Sequence, residues 1–116
     1  MKKIQDHYFH KARKDGYVAR SAYKLEEIDQ RHQFLKHGQK VLDLGCAPGS
    51  WLQYTSRRIG ETGRLLGIDL QAVAISLPPQ VEVFQADIYK LDYNGAWWEN
   101  PFDVILSDMA PKTTGV

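Results

Sequence analysis

The chain of 116 residues has little cysteine and no long apolar run. Its single cysteine, Cys46, excludes an internal disulfide and is typical of a reducing compartment. No stretch approaches the ~18 apolar residues of a membrane span, and the first residues lack the apolar core of a signal peptide. His7 and His10 have helical spacing, but no cysteine or carboxylate cluster completes a zinc site. We therefore expect a cytoplasmic protein without a metal site or a membrane segment.

Charge is distributed unevenly along the chain, although the formal net charge is only +1. Residues 1–40 contain ten Lys/Arg and five Asp/Glu, whereas residues 41–116 contain five and nine. A basic arm on an acidic body indicates a polyanionic partner, but a solvated helix produces the same pattern. Four aromatic residues lie among these charges: Tyr8, Phe9, Tyr17 and Tyr23. They could stack on unpaired bases or hold the arm against the core, and the sequence leaves both readings open.

A strand, a glycine-containing turn and a helix are predicted around residues 40–59. Residues 40–44 form a short apolar run typical of a buried parallel strand, and Ser50–Ile59 can be helical. Gly45 and Gly49 between them lack the Gly-x-Gly-x-x-Gly spacing that places a helix amino terminus against a pyrophosphate. A nucleoside ligand without phosphates, of which S-adenosylmethionine is the common example, fits this turn better. Cys46 has no histidine nearby in sequence, so we expect a small packing residue there, not a nucleophile.

Apolar runs bounded by turn residues predict three further strands: Arg64–Leu70, Val81–Ala86 and Phe102–Ser107. An amphipathic helix is predicted at Ala19–Arg31, with Ala22, Leu25 and Ile28 as its buried stripe. Trp97 and Trp98 are expected to be packing residues. We therefore predict an α/β fold with a parallel sheet.

An aspartate lies at the end of the second predicted strand, and one directly follows each of the third and fourth: Asp69, Asp87 and Asp108. A carboxylate after the second strand can accept hydrogen bonds from both hydroxyls of a ribose. Alternatively, Asp69 caps a following helix.

Two segments of the chain resemble one protein family. Asp-Leu-Gly-Cys-Ala-Pro-Gly-Ser-Trp at Asp43–Trp51 resembles the cofactor loop of the FtsJ/RrmJ-type RNA 2′-O-methyltransferases, and Arg20–Leu25 resembles their amino-terminal helix. The resemblance extends from about Asp6 onward. It implies a Rossmann-like, S-adenosylmethionine-dependent methyltransferase sheet, with residues 1–38 as a basic arm and helix on the RNA side. Residues 39–116 then form the first half of the methyltransferase domain.

The family's sheet has seven strands and this sequence predicts four. We therefore expect a sheet truncated after the fourth strand. The exposed edge of that strand could pair with another chain, while a full-length form would be monomeric.

The resemblance also implies site residues and S-adenosylmethionine as cofactor. Contacts to the cofactor are expected from Asp43, Gly45, Ala47, Pro48, Gly49, Trp51, Asp69, Leu70, Asp87, Ile88 and Asp108. Lys24 and Asp108 occupy the first two positions of a Lys-Asp-Lys-Glu catalytic set, whose later lysine and glutamate have no counterpart here. RNA contacts are expected from Lys11, Arg13, Lys14 and Arg20. Methyltransferases acting on exocyclic base nitrogens have Asn-Pro-Pro-aromatic where Asp108 lies, whereas an aspartate suits a hydroxyl or a cationic partner.

The implied reaction is methylation of a ribose 2′-hydroxyl in RNA, at a uridine of large-subunit ribosomal RNA, with the large ribosomal subunit as partner. Modification of a tRNA anticodon loop and a non-catalytic RNA- or S-adenosylmethionine-binding module remain alternatives. A nicotinamide-dependent oxidoreductase is disfavoured by the spacing of the glycines. Because two catalytic positions are missing, the chain alone is expected to have little or no activity.

Overall fold

The structure is a computed structural model that describes residues 10–108 and contains a four-stranded parallel sheet. Its strands are β1 (Lys40–Leu44), β2 (Arg64–Asp69), β3 (Val81–Gln85) and β4 (Val104–Ser107). Its helices are α1 (Ala22–His32), α2 (Ser50–Ile59) and α3 (Ala96–Glu99), and residues 10–15 are also helical. The predicted α/β fold is confirmed. β1 and α2 have the predicted bounds, and the other strands differ from theirs by one or two residues.

The strand order is β3-β2-β1-β4, so β1 lies between two partners. In this register Leu42 is paired with Leu66 of β2 and with Ile105 of β4. The three middle residues of β1 are buried, as expected of a strand covered on both faces. β4 lies at the edge of the sheet, and Ile105 is 62% exposed within the described part of the chain. The continuous apolar run at residues 104–106 is typical of a strand covered on both faces, but Ile105 is not covered within the described residues.

α2 packs closely against one face of the sheet because β2 contains a glycine. A Cβ atom at Gly67 would lie 2.8 Å from Cys46 Sγ and 2.9 Å from Leu52 Cδ2. Cys46 is buried at this contact, as predicted for a small packing residue. Burial, together with the nearby carboxylates of Asp43 and Asp69, raises the pKa of the Cys46 thiol to about 12.

The opposite face of the sheet is covered by aromatic residues. Trp97 of α3 packs with Leu42 and Leu66, and its ring stacks on Phe102 with centroids 6.2 Å apart. Lys40 Nζ donates to the carbonyl oxygens of Trp97 and Asn100 at 2.6 and 2.7 Å. Trp98 is partly buried against the same cluster. Both tryptophans are therefore packing residues, as predicted.

α1 begins at Ala22, three residues later than predicted, and buries a different stripe. Its buried residues are Ala22, Leu25 and Asp29, whereas Ile28 is 39% exposed, so the prediction that Ile28 is buried is wrong. Successive residues of a helix point about 100° apart. Because α1 directs Asp29 at α2, its neighbour Ile28 points away from that contact. The sequence pattern did not reveal this because a buried aspartate breaks an apolar stripe.

Asp29 is a buried hydrogen-bonding centre between α1 and α2. Its Oδ2 atom accepts hydrogen bonds from Tyr54 Oη at 2.7 Å and Arg58 Nε at 3.1 Å. Its Oδ1 atom accepts from the backbone N–H of Leu35 at 3.0 Å. Since buried carboxylates require such partners, this network fixes α1 on α2.

Within residues 10–108, no helix combines the length and the apolar character that crossing a bilayer requires.

We predict that Asp29→Ala lowers the free energy of unfolding by about 2–3 kcal/mol, because it leaves the Tyr54 hydroxyl and the Leu35 amide buried without their acceptor. Glu27→Ala on the same helix is the matched control, since Glu27 is exposed and pairs only with Arg31 in the described residues. It should change the free energy by less than about 0.5 kcal/mol. Urea denaturation measures both, and equal effects of the two substitutions would contradict the proposed network.

Candidate functional site

The turn between β1 and α2 is attached to the end of β2 by three successive backbone amides. The N–H groups of Gly45 and Cys46 both donate to Ile68 O, at 2.8 and 3.2 Å. The N–H of Ala47 donates to Asp69 Oδ2 at 2.9 Å. A glycine loop that binds pyrophosphate needs amides free to point at the ligand. These three amides are already bonded, which agrees with the expectation of a ligand without phosphates.

The second half of the turn is closed by Pro48 and Gly49. The Ala47–Pro48 peptide is cis, and Gly49 has φ +117° immediately before α2. A Cβ atom at Gly49 would lie 2.7 Å from Ile75 Cδ1 and 3.1 Å from Val73 Cγ1. Glycine is therefore required both by the backbone angle and by the segment that follows β2 and packs over the turn.

Asp69 closes the turn from the β2 side. Besides Ala47, it accepts the N–H of Gln71 on Oδ1 at 2.8 Å. No helix follows within residues 70–80, so the alternative role as a cap of the next helix is wrong. Each carboxylate oxygen has a second acceptor position, and contact with a ribose therefore remains a prediction.

Three further predicted cofactor residues, Leu70, Asp87 and Ile88, lie beside Asp69. β2 and β3 are adjacent, and Ala86 N donates to Asp69 O at 2.9 Å, so the ends of the two strands meet. Leu70 is exposed and Ile88 is partly buried. Asp87 Oδ1 accepts the N–H of Tyr89 at 2.9 Å. The four cofactor residues predicted on these strand ends are thus neighbours at one edge of the sheet.

Asp43 lies at the centre of the site and is only 1% exposed. Neither of its carboxylate oxygens has a hydrogen-bond partner within residues 10–108. Burial, followed by the charges of Asp108 and Asp69, raises its pKa to about 8.

Lys24 and Asp108 meet although 84 residues separate them in the sequence. Lys24 Nζ lies 3.2 Å from Asp108 Oδ1, and the two side chains are 65% and 35% exposed. The structure thus brings together the two residues predicted as catalytic.

The amino-terminal end of α1 is held against that of α2. Ser21 Oγ and Ser50 Oγ are 2.7 Å apart, and Trp51 Nε1 donates to Ser21 O at 2.9 Å. The sequence predictions missed Ser21 and Ser50, because a lone serine at the start of a helix suggests only a cap. Trp51, predicted to contact the cofactor, uses its indole N–H to hold α1 in place.

A small open pocket lies between these elements, with about 280 Å³ of empty space including its mouth. Its lining contains six of the predicted cofactor residues, Asp108 among them, and also Ser21, Cys46 and Ser50. Among the predicted cofactor contacts, Gly49, Asp69, Leu70, Asp87 and Ile88 do not line it.

Tyr17 and Tyr23 of the basic arm make different contacts, and Tyr17 packs against the body. Arg57 lies over the Tyr17 ring at 4.5 Å, and Lys11 lies over the Tyr23 ring at 4.7 Å. The Tyr23 hydroxyl donates to Asp15 Oδ2. Tyr17 therefore follows the packing alternative, whereas these contacts of Tyr23 lie within the arm; His7, Tyr8 and Phe9 lie outside the described residues.

The four side chains predicted to contact RNA, Lys11, Arg13, Lys14 and Arg20, are all exposed. Within residues 10–108, no group of three or more His, Cys, Asp or Glu side chains is arranged to hold a metal ion.

A family model described as FtsJ-like methyltransferase matches residues 17–116. Two similar curated relatives are each named ribosomal RNA large subunit methyltransferase E. The relative from Bdellovibrio bacteriovorus is 51% identical in an alignment of 116 positions, gaps included, that covers 97% of this chain and 59% of the relative. The relative from Oleidesulfovibrio alaskensis is 51% identical in an alignment of 118 positions, gaps included, that covers 99% of this chain and 57% of the relative.

A crystal structure of a Plasmodium falciparum protein assigned as a ribosomal RNA methyltransferase is also similar. It has a TM-score of 0.68 at 33% identity, over 86% of this chain and 60% of that protein. This chain therefore spans somewhat more than half the length of the relatives that it matches.

We predict that Asp43→Asn flattens the dependence of stability on pH. Between the ordinary carboxyl pKa of ~4 and a value near 8, the folded chain retains a proton on Asp43 that the unfolded chain has released. Wild-type stability should therefore fall as pH rises through this window. Thermal unfolding from about pH 5 to pH 9 should show a decrease at least about 1.4 kcal/mol larger for wild type than for the variant.

Glu61→Gln is the control for this comparison, because Glu61 is an exposed acid in the turn between α2 and β2. Its pH profile should run parallel to that of wild type. Parallel profiles for Asp43→Asn and wild type would contradict a protonated Asp43.

Proposed function

The chain belongs to the FtsJ-like methyltransferase family, and on that premise we propose that it transfers a methyl group from S-adenosylmethionine to a ribose 2′-hydroxyl, at a uridine of large-subunit ribosomal RNA. The observation that carries this proposal is the Lys24–Asp108 pair, 3.2 Å apart beside the glycine turn. The two relatives are both named as methyltransferases of large-subunit ribosomal RNA, which supports ribosomal RNA over tRNA as the substrate.

The carboxylates of the site suit S-adenosylmethionine. Asp43, Asp69 and Asp108 provide carboxylates for a ligand that carries positive charge and hydroxyl groups. The bonded amides of the turn offer nothing to a phosphate. When bound, S-adenosylmethionine supplies a methyl group on a sulfonium, whose sulfur leaves as a neutral thioether.

Asp69 would hold the ribose hydroxyls through its remaining acceptor positions, and Asp87 would accept from the adenine amino group. Leu70 and Ile88 would provide apolar contact with the base. Lys11, Arg13, Lys14 and Arg20 are exposed cations that would contact RNA phosphates.

Lys24 and Asp108 would act on the substrate hydroxyl. Methyl transfer requires the 2′-oxygen to be aligned with the methyl carbon and to lose its proton. Asp108 can accept a hydrogen bond from the hydroxyl, while the Lys24 ammonium stabilises negative charge as it develops on oxygen. In the catalytic set that the family resemblance implies, the proton acceptor is the later lysine, which has no counterpart in this sequence.

A non-catalytic module that binds S-adenosylmethionine or RNA is the second candidate, because carboxylates at the pocket and exposed cations on the arm are sufficient for binding alone. Turnover by the full-length form distinguishes the two functions, since a module would bind the cofactor without transferring its methyl group.

We predict that Lys24→Ala and Asp108→Ala each reduce methylation at least about 100-fold, since each removes a group that orients the hydroxyl. The test is a gene-deletion strain that carries the full-length form of the protein, wild type or variant, with 2′-O-methylated nucleotides mapped in total RNA. Wild type should restore a single uridine modification in large-subunit RNA.

Lys36→Ala is the matched control and should restore the modification fully, because Lys36 is an exposed lysine that does not line the pocket. Normal modification with Lys24→Ala or Asp108→Ala would remove that residue from the catalytic assignment. A modification that appears in tRNA instead would contradict the assigned substrate.

A further inference from the structure

Asp43 is a buried carboxyl group that faces the pocket without a hydrogen-bond partner in the described residues. Buried aspartates are normally paired or hydrogen-bonded, because an ionised carboxylate without partners is costly in a protein interior. The other buried aspartate in the described part of the chain, Asp29, is hydrogen-bonded in the usual way, because its two oxygens accept from three donors. Asp43 therefore has no counter-ion within residues 10–108.

The groups that face Asp43 from neighbouring elements are mostly acidic. Asp69 lies at the end of β2, Asp108 follows β4, and the Cys46 thiol lies in the turn. The cation of the site is Lys24 from α1, which is largely exposed and already paired with Asp108. An ionised Asp43 would thus stand among like charges in a buried position.

We propose that Asp43 holds a proton in the ligand-free protein and releases it when a cationic nucleoside enters the pocket, so that binding of the methyl donor is coupled to loss of one proton. The carboxyl O–H bond breaks, the proton passes to solvent, and the carboxylate remains as counter-ion to the positive charge of the donor. The inference rests on the proposed function, which supplies the cationic ligand. A pKa near 8 for Asp43 agrees with a protonated group at neutral pH.

Coupling between binding and proton release should make the preference of the protein for the methyl donor over the demethylated product depend on pH. Affinity for the donor should rise about tenfold per pH unit while Asp43 is protonated in the free protein, and level off above its pKa. The demethylated thioether product carries one positive charge fewer than the donor. Its affinity should therefore depend less on pH, and the preference for donor over product should increase as pH rises.

Isothermal titration calorimetry with S-adenosylmethionine tests the inference. At about pH 6.5 the α-amino group of the donor, with an ordinary pKa of ~7.7–8.0, is already protonated and contributes no proton. Titrations in buffers of different ionisation enthalpy should show release of about one proton by wild type and almost none by Asp43→Asn. The control Glu61→Gln should release as many protons as wild type.

Binding of S-adenosylmethionine to wild type without proton release, or equal release by Asp43→Asn, would overturn the inference and leave the proposed function intact. Should Asp43→Asn fail to fold, the wild-type affinity between about pH 5.5 and pH 7.5 decides: a rise with pH supports the coupling and a constant value overturns it. Absence of S-adenosylmethionine binding at every pH would instead overturn the proposed function itself.

Discussion

The attachment of the β1–α2 turn to the end of β2 determines what this site can bind. The amides of Gly45, Cys46 and Ala47 are the groups that a phosphate-binding loop would direct at its ligand, and here they bond to Ile68 and Asp69. The turn therefore shapes the pocket, but its amides contribute no positive electrostatic potential to it. Carboxylates dominate the surrounding electrostatics, which favours a ligand with positive charge and hydroxyl groups over a dinucleotide.

The position of α1 links this pocket to the pair of charged residues beside it. The helix is held at its start by Trp51 Nε1, which donates to Ser21 O, and further along by Asp29, which binds Tyr54. Both contacts join α1 to α2, the helix that follows the turn. The Lys24 side chain is thereby placed within 3.2 Å of Asp108 at the far end of the described chain. α1 thus links the helix that follows the turn to Lys24, one of the two residues proposed to act on the substrate.

Much of the fold could be predicted because buried parallel strands are short apolar runs bounded by glycine, proline or aspartate. Periodicity failed at Ile28, since the true contact of α1 is made by the charged residue Asp29. Nothing in the local sequence could show that Asp69 binds the amide of Ala47, because that contact depends on strand order. The proximity of Lys24 and Asp108 was suggested only by family resemblance, as no sequence pattern relates residues so far apart.

A crystal structure of the protein with S-adenosylmethionine would show directly whether the ligand binds at the β1–α2 turn. We predict the ligand between the turn and the ends of β2 and β3, with its ribose at Asp69. The amides of Gly45, Cys46 and Ala47 should remain bonded to β2 in that complex. A ligand bound elsewhere, or these amides turned away from β2 to face it, would contradict the account.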